Sequence, residues 1–151
     1  MPDELVFWMG KFEAKFPTDR HYAQNHMWAK QVNGVWRFGF ARYAVRLLQD
    51  VYFLDWTIEP EMVLKEKDEI GSIESKKAES SLYAPTGGKV RSLNEDLLQD
   101  PSGINVSPYQ NGWLFELEAE NVALLSPQEY LQFLEDVWKV TQRTIKGQLN
   151  D

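Results

Sequence analysis

Hydrophobic and polar positions alternate between two periods along this chain. LVFWMGKFEAKFP (5–17) places Val6, Met9, Phe12 and Phe16 near helical spacing and ends at Pro17, which predicts a short N-terminal helix packed on the domain. HMWAKQVNGVWRFGFA (26–41) holds Asn33-Gly34 between two runs of aromatic and β-branched residues. Both turn positions favour positive φ, so a hairpin is predicted. ARYAVRLLQD (41–50) puts Tyr43, Ala44, Leu47 and Leu48 on one helical face, and VYFLDWTI (51–58) is apolar enough for a buried strand.

Further on, IGSIE reads as a strand, SKKA as a turn and ESSLYA as the returning strand. TGG (86–88) reads as another turn and KVRSL as another strand, and NEDLLQDPSGIN is irregular or briefly helical. GWLFELEA (112–119) sets Trp113, Phe115 and Leu117 against Leu114, Glu116 and Glu118, the pattern of a half-exposed strand. A helix then starts at a Ser126 cap with Pro127 in first position and Glu129 completing a capping box. Tyr130, Leu131, Leu134, Val137, Trp138, Thr141 and Ile145 recur along it at helical spacing, the stripe of a helix that covers a sheet. Many short strands, frequent turns and flanking helices predict a mainly β fold, a sandwich or small barrel with a C-terminal helix. The expected division is an N-terminal extension (1–20), a β domain (21–125) and the C-terminal helix (126–151).

Composition narrows the chemistry. The 151 residues suit one domain, with 43% hydrophobic and 26% charged residues. No apolar run reaches the length of a membrane span, and the N-terminus lacks a signal-peptide pattern, so a cytoplasmic location is expected. Cysteine is absent, which removes disulfides, thiolate metal sites and cysteine nucleophiles. His21 and His26 are too few for a metal site. A net charge of −7 argues against a phosphate-binding surface. Ser92 to Trp138 contains nine acids and no Lys or Arg. Such a stretch aids solubility and offers a docking face for basic partners. There is no glycine-rich phosphate loop, nucleophile elbow or zinc spacing. No catalytic residue is expected.

The remaining feature is Lys76-Lys77, at the tip of a tight hairpin. Two lysines at an exposed turn need only keep it soluble. A lysine at a rigid apex is also a good anchor for a covalent cofactor, because the ε-amine is reachable and the scaffold fixes where the arm begins.

An ordered set of residues then matches a known family. It comprises His26 and Trp28, Gly39-Phe40-Ala41 with Tyr43-Ala44, Asp68-Glu69-Ile70-Gly71, and Glu74-Ser75 with Lys77-Ala78. Leu82-Tyr83-Ala84-Pro85, Gly88, Asn94-Glu95, Asn105, Pro108-Tyr109, Gly112-Trp113-Leu114 and Ser126-Pro127 continue it. From about His21 to Tyr130 the chain resembles the lipoyl-carrying H protein of the glycine cleavage system. The resemblance implies a lipoyl-domain-like flattened β-barrel or sandwich with added helices, and a carrier rather than an enzyme. In that family the modified lysine has a Glu three residues before it and a Gly eleven after it. Lys77 has Glu74 and Gly88, whereas Lys76 has Ile73 and Gly87. The resemblance therefore implies lipoic acid on Lys77, with Glu74 and Gly88 helping a lipoate-protein ligase or lipoyl transferase recognise the hairpin. The Met-Lys-Met tip of biotin carriers is absent.

The family pattern also carries two acids, one inside His-Glu-Trp and one four residues after the modified lysine. Here those positions are Met27 and Ser81. An ammonium carried on the arm needs nearby carboxylates, so their loss favours a different load. In this respect the chain resembles the H-like lipoate-binding proteins of bacterial sulfur oxidation, which implies sulfur-bound intermediates and a heterodisulfide-reductase-like complex as partner. The alternative is an H protein carrying the aminomethyl group from glycine, with glycine decarboxylase, aminomethyltransferase and dihydrolipoamide dehydrogenase as partners. A second alternative is a non-lipoylated interaction module.

Overall fold

A computed structural model describes residues 3–120 and 122–150, the side chains of 143–150 excepted. The chain opens with β1 (Glu4–Met9) and β2 (Phe12–Pro17), an antiparallel hairpin joined through Gly10. The predicted N-terminal helix is therefore replaced by a two-stranded sheet. The deciding period is two: Phe7 and Met9, then Ala14 and Phe16, are buried, while Trp8, Glu13 and Lys15 face solvent. Helical spacing of four apolar residues was satisfied by coincidence.

Next come β3 (His21–Tyr22), β4 (Met27–Val32) and β5 (Val35–Phe40). Asn33 (φ 52°) and Gly34 (φ 83°) close the β4–β5 hairpin as predicted. Helix α1 (Arg42–Leu48) leads into β6 (Val51–Trp56). A short β7 (Val63–Leu64) precedes β8 (Glu69–Ser75), β9 (Glu79–Tyr83) and β10 (Gly88–Leu93). Two short helices, α2 (Asp96–Gln99) and α3 (Gly103–Val106), occupy the stretch predicted to be irregular or briefly helical. β11 (Phe115–Glu118) and α4 (Pro127–Asn150) complete the chain.

Two sheets face each other, six-stranded β3-β4-β5-β11-β10-β7 and three-stranded β6-β8-β9. Ala29, Phe38, Val90, Phe115 and Leu117 from the first meet Leu54, Ile70, Ile73 and Leu82 from the second in one core. The expected sandwich is present, with its sheets not closed into a barrel. β6 corrects one detail. It is an edge strand with a bulge between Val51 and Phe53, and both Tyr52 and Phe53 are exposed rather than buried. The strand predicted over 112–119 is shorter at both ends, since Leu114 is held from outside the ladder by its N–H to Phe38 O (2.7 Å).

A second core lies under α4. Phe7, Met9 and Phe16 of the N-terminal hairpin pack there with Tyr22, Tyr43, Tyr130 and Leu134. Tyr22 and Tyr130 stack at 4.5 Å, and Phe16 meets both edge-on at 5.3 Å. The capping box forms as predicted: Glu129 N donates to Ser126 Oγ (3.1 Å) and Ser126 N to Glu129 Oε1 (2.8 Å). Leu131, Val137 and Trp138 pack partly buried against this core. Ile145, also assigned to the stripe, lies outside the described side chains.

Candidate functional site

The lysine pair sits where β8 turns into β9. Ser75, the last residue of β8, is buried and organises the tip. Its N–H donates to Ala78 O (2.8 Å), its hydroxyl donates to the same carbonyl (3.2 Å), and Ala78 N donates back to Ser75 Oγ (3.1 Å). Lys77 N reaches Ser75 Oγ at 3.4 Å, and Lys76 N donates to Asp50 O (2.8 Å), tying the tip to the residue before β6. Both lysine side chains remain exposed. The backbone is fixed while the amines are free, as an anchor for a flexible arm requires.

Glu74 is half-buried and lies opposite Phe53 of β6 on one side and Glu79 of β9 on the other. Two acids therefore flank the lysines from paired strands. Gly88 is not part of this hairpin. It opens β10 in the other sheet, opposite Leu64. A Cβ at Gly88 would stand 2.7 Å from Glu118 O and 3.1 Å from Ala119 Cβ. Close approach to the chain at the end of β11, and not turn geometry beside the lysines, is what demands a glycine there.

Along β9 from the tip, a cleft of about 230 Å³ opens between α1 and the sheets. Met27, Phe40, Leu47, Leu48, Ile73 and Ser81 contribute to its wall, and among the described residues no Asp, Glu, Lys or Arg lines it. Asn25, His26 and Tyr83 form its far side. The His26 ring stacks on Tyr43 at 4.6 Å and its Nδ1 lies 3.0 Å from Tyr130 Oη. Burial holds this imidazole down at about 4, so it is neutral at physiological pH. Met27 and Ser81, the substituted positions, thus share one cleft. Leu47 and Leu48, which their spacing puts on one face of α1, belong to it too.

Most of the other motif residues are scaffold. Trp28 Nε1 donates to Pro108 O (2.8 Å). Asn94 Nδ2 donates to Asn111 O and Trp113 O. Asn105 clamps the α1–β6 link, accepting from Val51 N (2.9 Å) and donating to Gln49 O (2.6 Å). The acidic stretch is partly neutralised from outside: Glu116 pairs with Arg37 and Glu118 with Arg91. Among the described residues no group of acids and histidines is arranged to hold a metal, and no helix is long and apolar enough to cross a membrane.

The family model for the glycine cleavage H-protein matches residues 20–141. The chain belongs to the glycine cleavage H-protein family. The H protein of Oceanobacillus iheyensis is 39% identical over 126 residues, covering 80% of this chain and 98% of the relative. That of Listeria innocua is 40% identical over 118 residues, 76% of this chain and 94% of the relative. A crystal structure of the H protein from Mycobacterium marinum superposes with a TM-score of 0.70 at 28% identity, covering 80% of this chain and 98% of that one. The H-protein fold is thus shared, and the chain is a carrier subunit of this family rather than an enzyme. The named relatives are all glycine cleavage proteins, so the narrower likeness to sulfur-oxidation proteins draws no support from them. The match begins at residue 20, which leaves the β1–β2 hairpin outside it.

Proposed function

We propose that this protein is a lipoyl carrier whose lipoic acid is amide-linked to Lys77. One observation carries the reading: in a chain of the H-protein family, Lys77 stands exposed on a hairpin tip braced by Ser75, three residues after Glu74. The tip suits the group, since the amine is accessible and an uncharged cleft lies alongside. When bound, lipoate supplies a dithiolane that cycles between disulfide and dithiol. The chain's own contribution is positional. Ser75 fixes the root of the arm, and Glu74 offers a fixed charge for the ligase or transferase to read. Gly88 contributes by keeping β10 seated against the end of β11. The absence of cysteine leaves no thiol on the scaffold to trap the arm.

For the load, the relatives' names favour the aminomethyl group of glycine cleavage, with glycine decarboxylase, aminomethyltransferase and dihydrolipoamide dehydrogenase as partners. A second reading, sulfur-bound intermediates passed to a heterodisulfide-reductase-like complex, rests on the missing carboxylates at Met27 and Ser81. A cytoplasmic setting suits both. Peptide mapping by mass after incubation with lipoate and ligase tests the attachment: lipoate belongs on Lys77, and modification that survives Lys77→Arg would sink the assignment. Glycine decarboxylase, glycine and labelled bicarbonate then test the load. Label entering glycine supports the aminomethyl reading. Its absence, with an authentic H protein active alongside, supports the second.

A further inference from the structure

Among the described side chains, Arg20 pairs with Asp19, Arg37 with Glu116 and Arg91 with Glu118. Arg42 and Arg46 form no ion pair there. They stand one turn apart on α1, where such residues share a face, and both line a pocket of about 290 Å³ between that helix, β2 and the start of β6. Both guanidiniums are held in place. That of Arg46 lies over the Phe12 ring at 4.3 Å, and Arg42 Nη1 donates to Asn105 O at 3.3 Å. Arg42 N donates to Tyr109 Oη at 2.7 Å, which fixes where that side chain begins. Stacking on a ring engages the plane of a guanidinium and leaves its edge N–H groups unmet. A lone solvated arginine on an exposed helix needs no partner; two held ones lining a single pocket offer a set of donors. The Asn105 side chain is already committed to Val51 N and Gln49 O. Asp50 is the one acid in the lining among the described residues; it is exposed and pairs with neither arginine. The lining therefore keeps a net positive charge in a chain of net charge −7. One guanidinium satisfies a carboxylate, whereas two around one pocket match the several oxygens of a phosphoryl group. Phe12 and Val45 add apolar surface for an organic substituent.

We propose that the Arg42–Arg46 pocket binds a phosphoryl group, either free phosphate or the monoester of a small molecule. The positive charge is local, so the site coexists with a net charge that argues against a broad phosphate-binding surface. Phe12 belongs to the N-terminal hairpin, outside the family match, so that hairpin supplies the ring that holds Arg46. The proposal does not depend on what Lys77 carries.

Nitrogen-15 NMR of the arginine Nε–H groups in the full chain tests this. Inorganic phosphate is titrated at constant ionic strength, with sodium chloride as the reference salt. The expected result is a saturable shift of the Arg42 and Arg46 signals with phosphate and none with chloride. Arg46 is exposed, so Arg46→Gln leaves the fold intact, as a thermal melt checks, and should weaken phosphate binding about tenfold through loss of charge-assisted hydrogen bonds. Asp50→Asn removes the lining's acid and should tighten binding several-fold. A parallel titration with phenyl phosphate separates the two sources: tighter binding than inorganic phosphate points to a monoester, equal binding to the free ion. Shifts that climb without saturating would overturn the proposal. So would equal shifts from chloride, or phosphate binding that survives Arg46→Gln unchanged and centres instead on Lys76 and Lys77.

Discussion

Single residues set the chemistry of the hairpin tip. Lys76 and Lys77 are both exposed, so burial does not choose between them. Lys77→Arg is expected to abolish lipoylation while Lys76→Arg leaves it intact, as intact mass reads directly. Glu74→Ala should slow ligation with little change in melting temperature, because a partly exposed charge lying opposite another acid contributes little stability. Ser75→Ala is a different case. It removes a buried hydroxyl that bonds both Ala78 N and Ala78 O, and should cost about 1 kcal/mol while loosening the tip. His26 contributes a pH dependence near neutrality. Its ring is held near 4 in the folded chain against an ordinary value of 6.5. Between those values the unfolded chain binds more protons at this site, so stability falls as pH drops from 6.5 toward 4, by on the order of 2 kcal/mol. Urea midpoints at pH 7 and pH 5 should separate, and His26→Gln should narrow the gap. Asp19, held at about 2 chiefly by its bond from Arg20, gives a different window, losing its contribution only from 3.8 down to 2.

At the scale of elements, the instructive case is β10. Gly88, eleven residues after Lys77, lies in the opposite sheet, where the end of β11 leaves no room for a Cβ. Gly88→Ala should therefore destabilise the fold by roughly 1–3 kcal/mol through overpacking, with any loss of lipoylation following from the loss of fold. A thermal melt, with ligation measured well below the transition, separates the two effects. The N-terminal hairpin misled in another way. Its apolar residues fit both periods, and only burial of alternate positions, with charged Glu13 and Lys15 outward, shows which one the chain uses. The α4 cap was legible because a capping box is local: Ser126, Pro127 and Glu129 need no distant partner.

Across the whole molecule, two cores divide the work. One fills the sandwich and positions the β8–β9 hairpin, and the other joins the N-terminal hairpin to α4. Deleting residues 1–18 would strip Phe7, Met9 and Phe16 from the second core and leave Tyr22 and Tyr130 uncovered. The expected outcome is a lower melting temperature and increased hydrogen exchange in α4, while Lys77 can still be lipoylated because its hairpin belongs to the first core. Loss of lipoylation in a folded truncation would show the two cores to be coupled.

Local chemistry let the sequence determine the Asn33-Gly34 turn and the α4 cap, since each depends on neighbours in the chain, and composition alone records the absence of thiols. The ordered family pattern added the two-sheet fold. Tertiary structure alone decided the rest. It brought Met27 and Ser81, 54 positions apart, into one uncharged cleft with Leu47 and Leu48. It exposed Tyr52 and Phe53 by placing β6 at an edge. It also set Arg37 and Arg91 beside the acids of β11. Each of these outcomes depends on which strands become neighbours. Burial of a shared core fixes that, and no local run of residues records it.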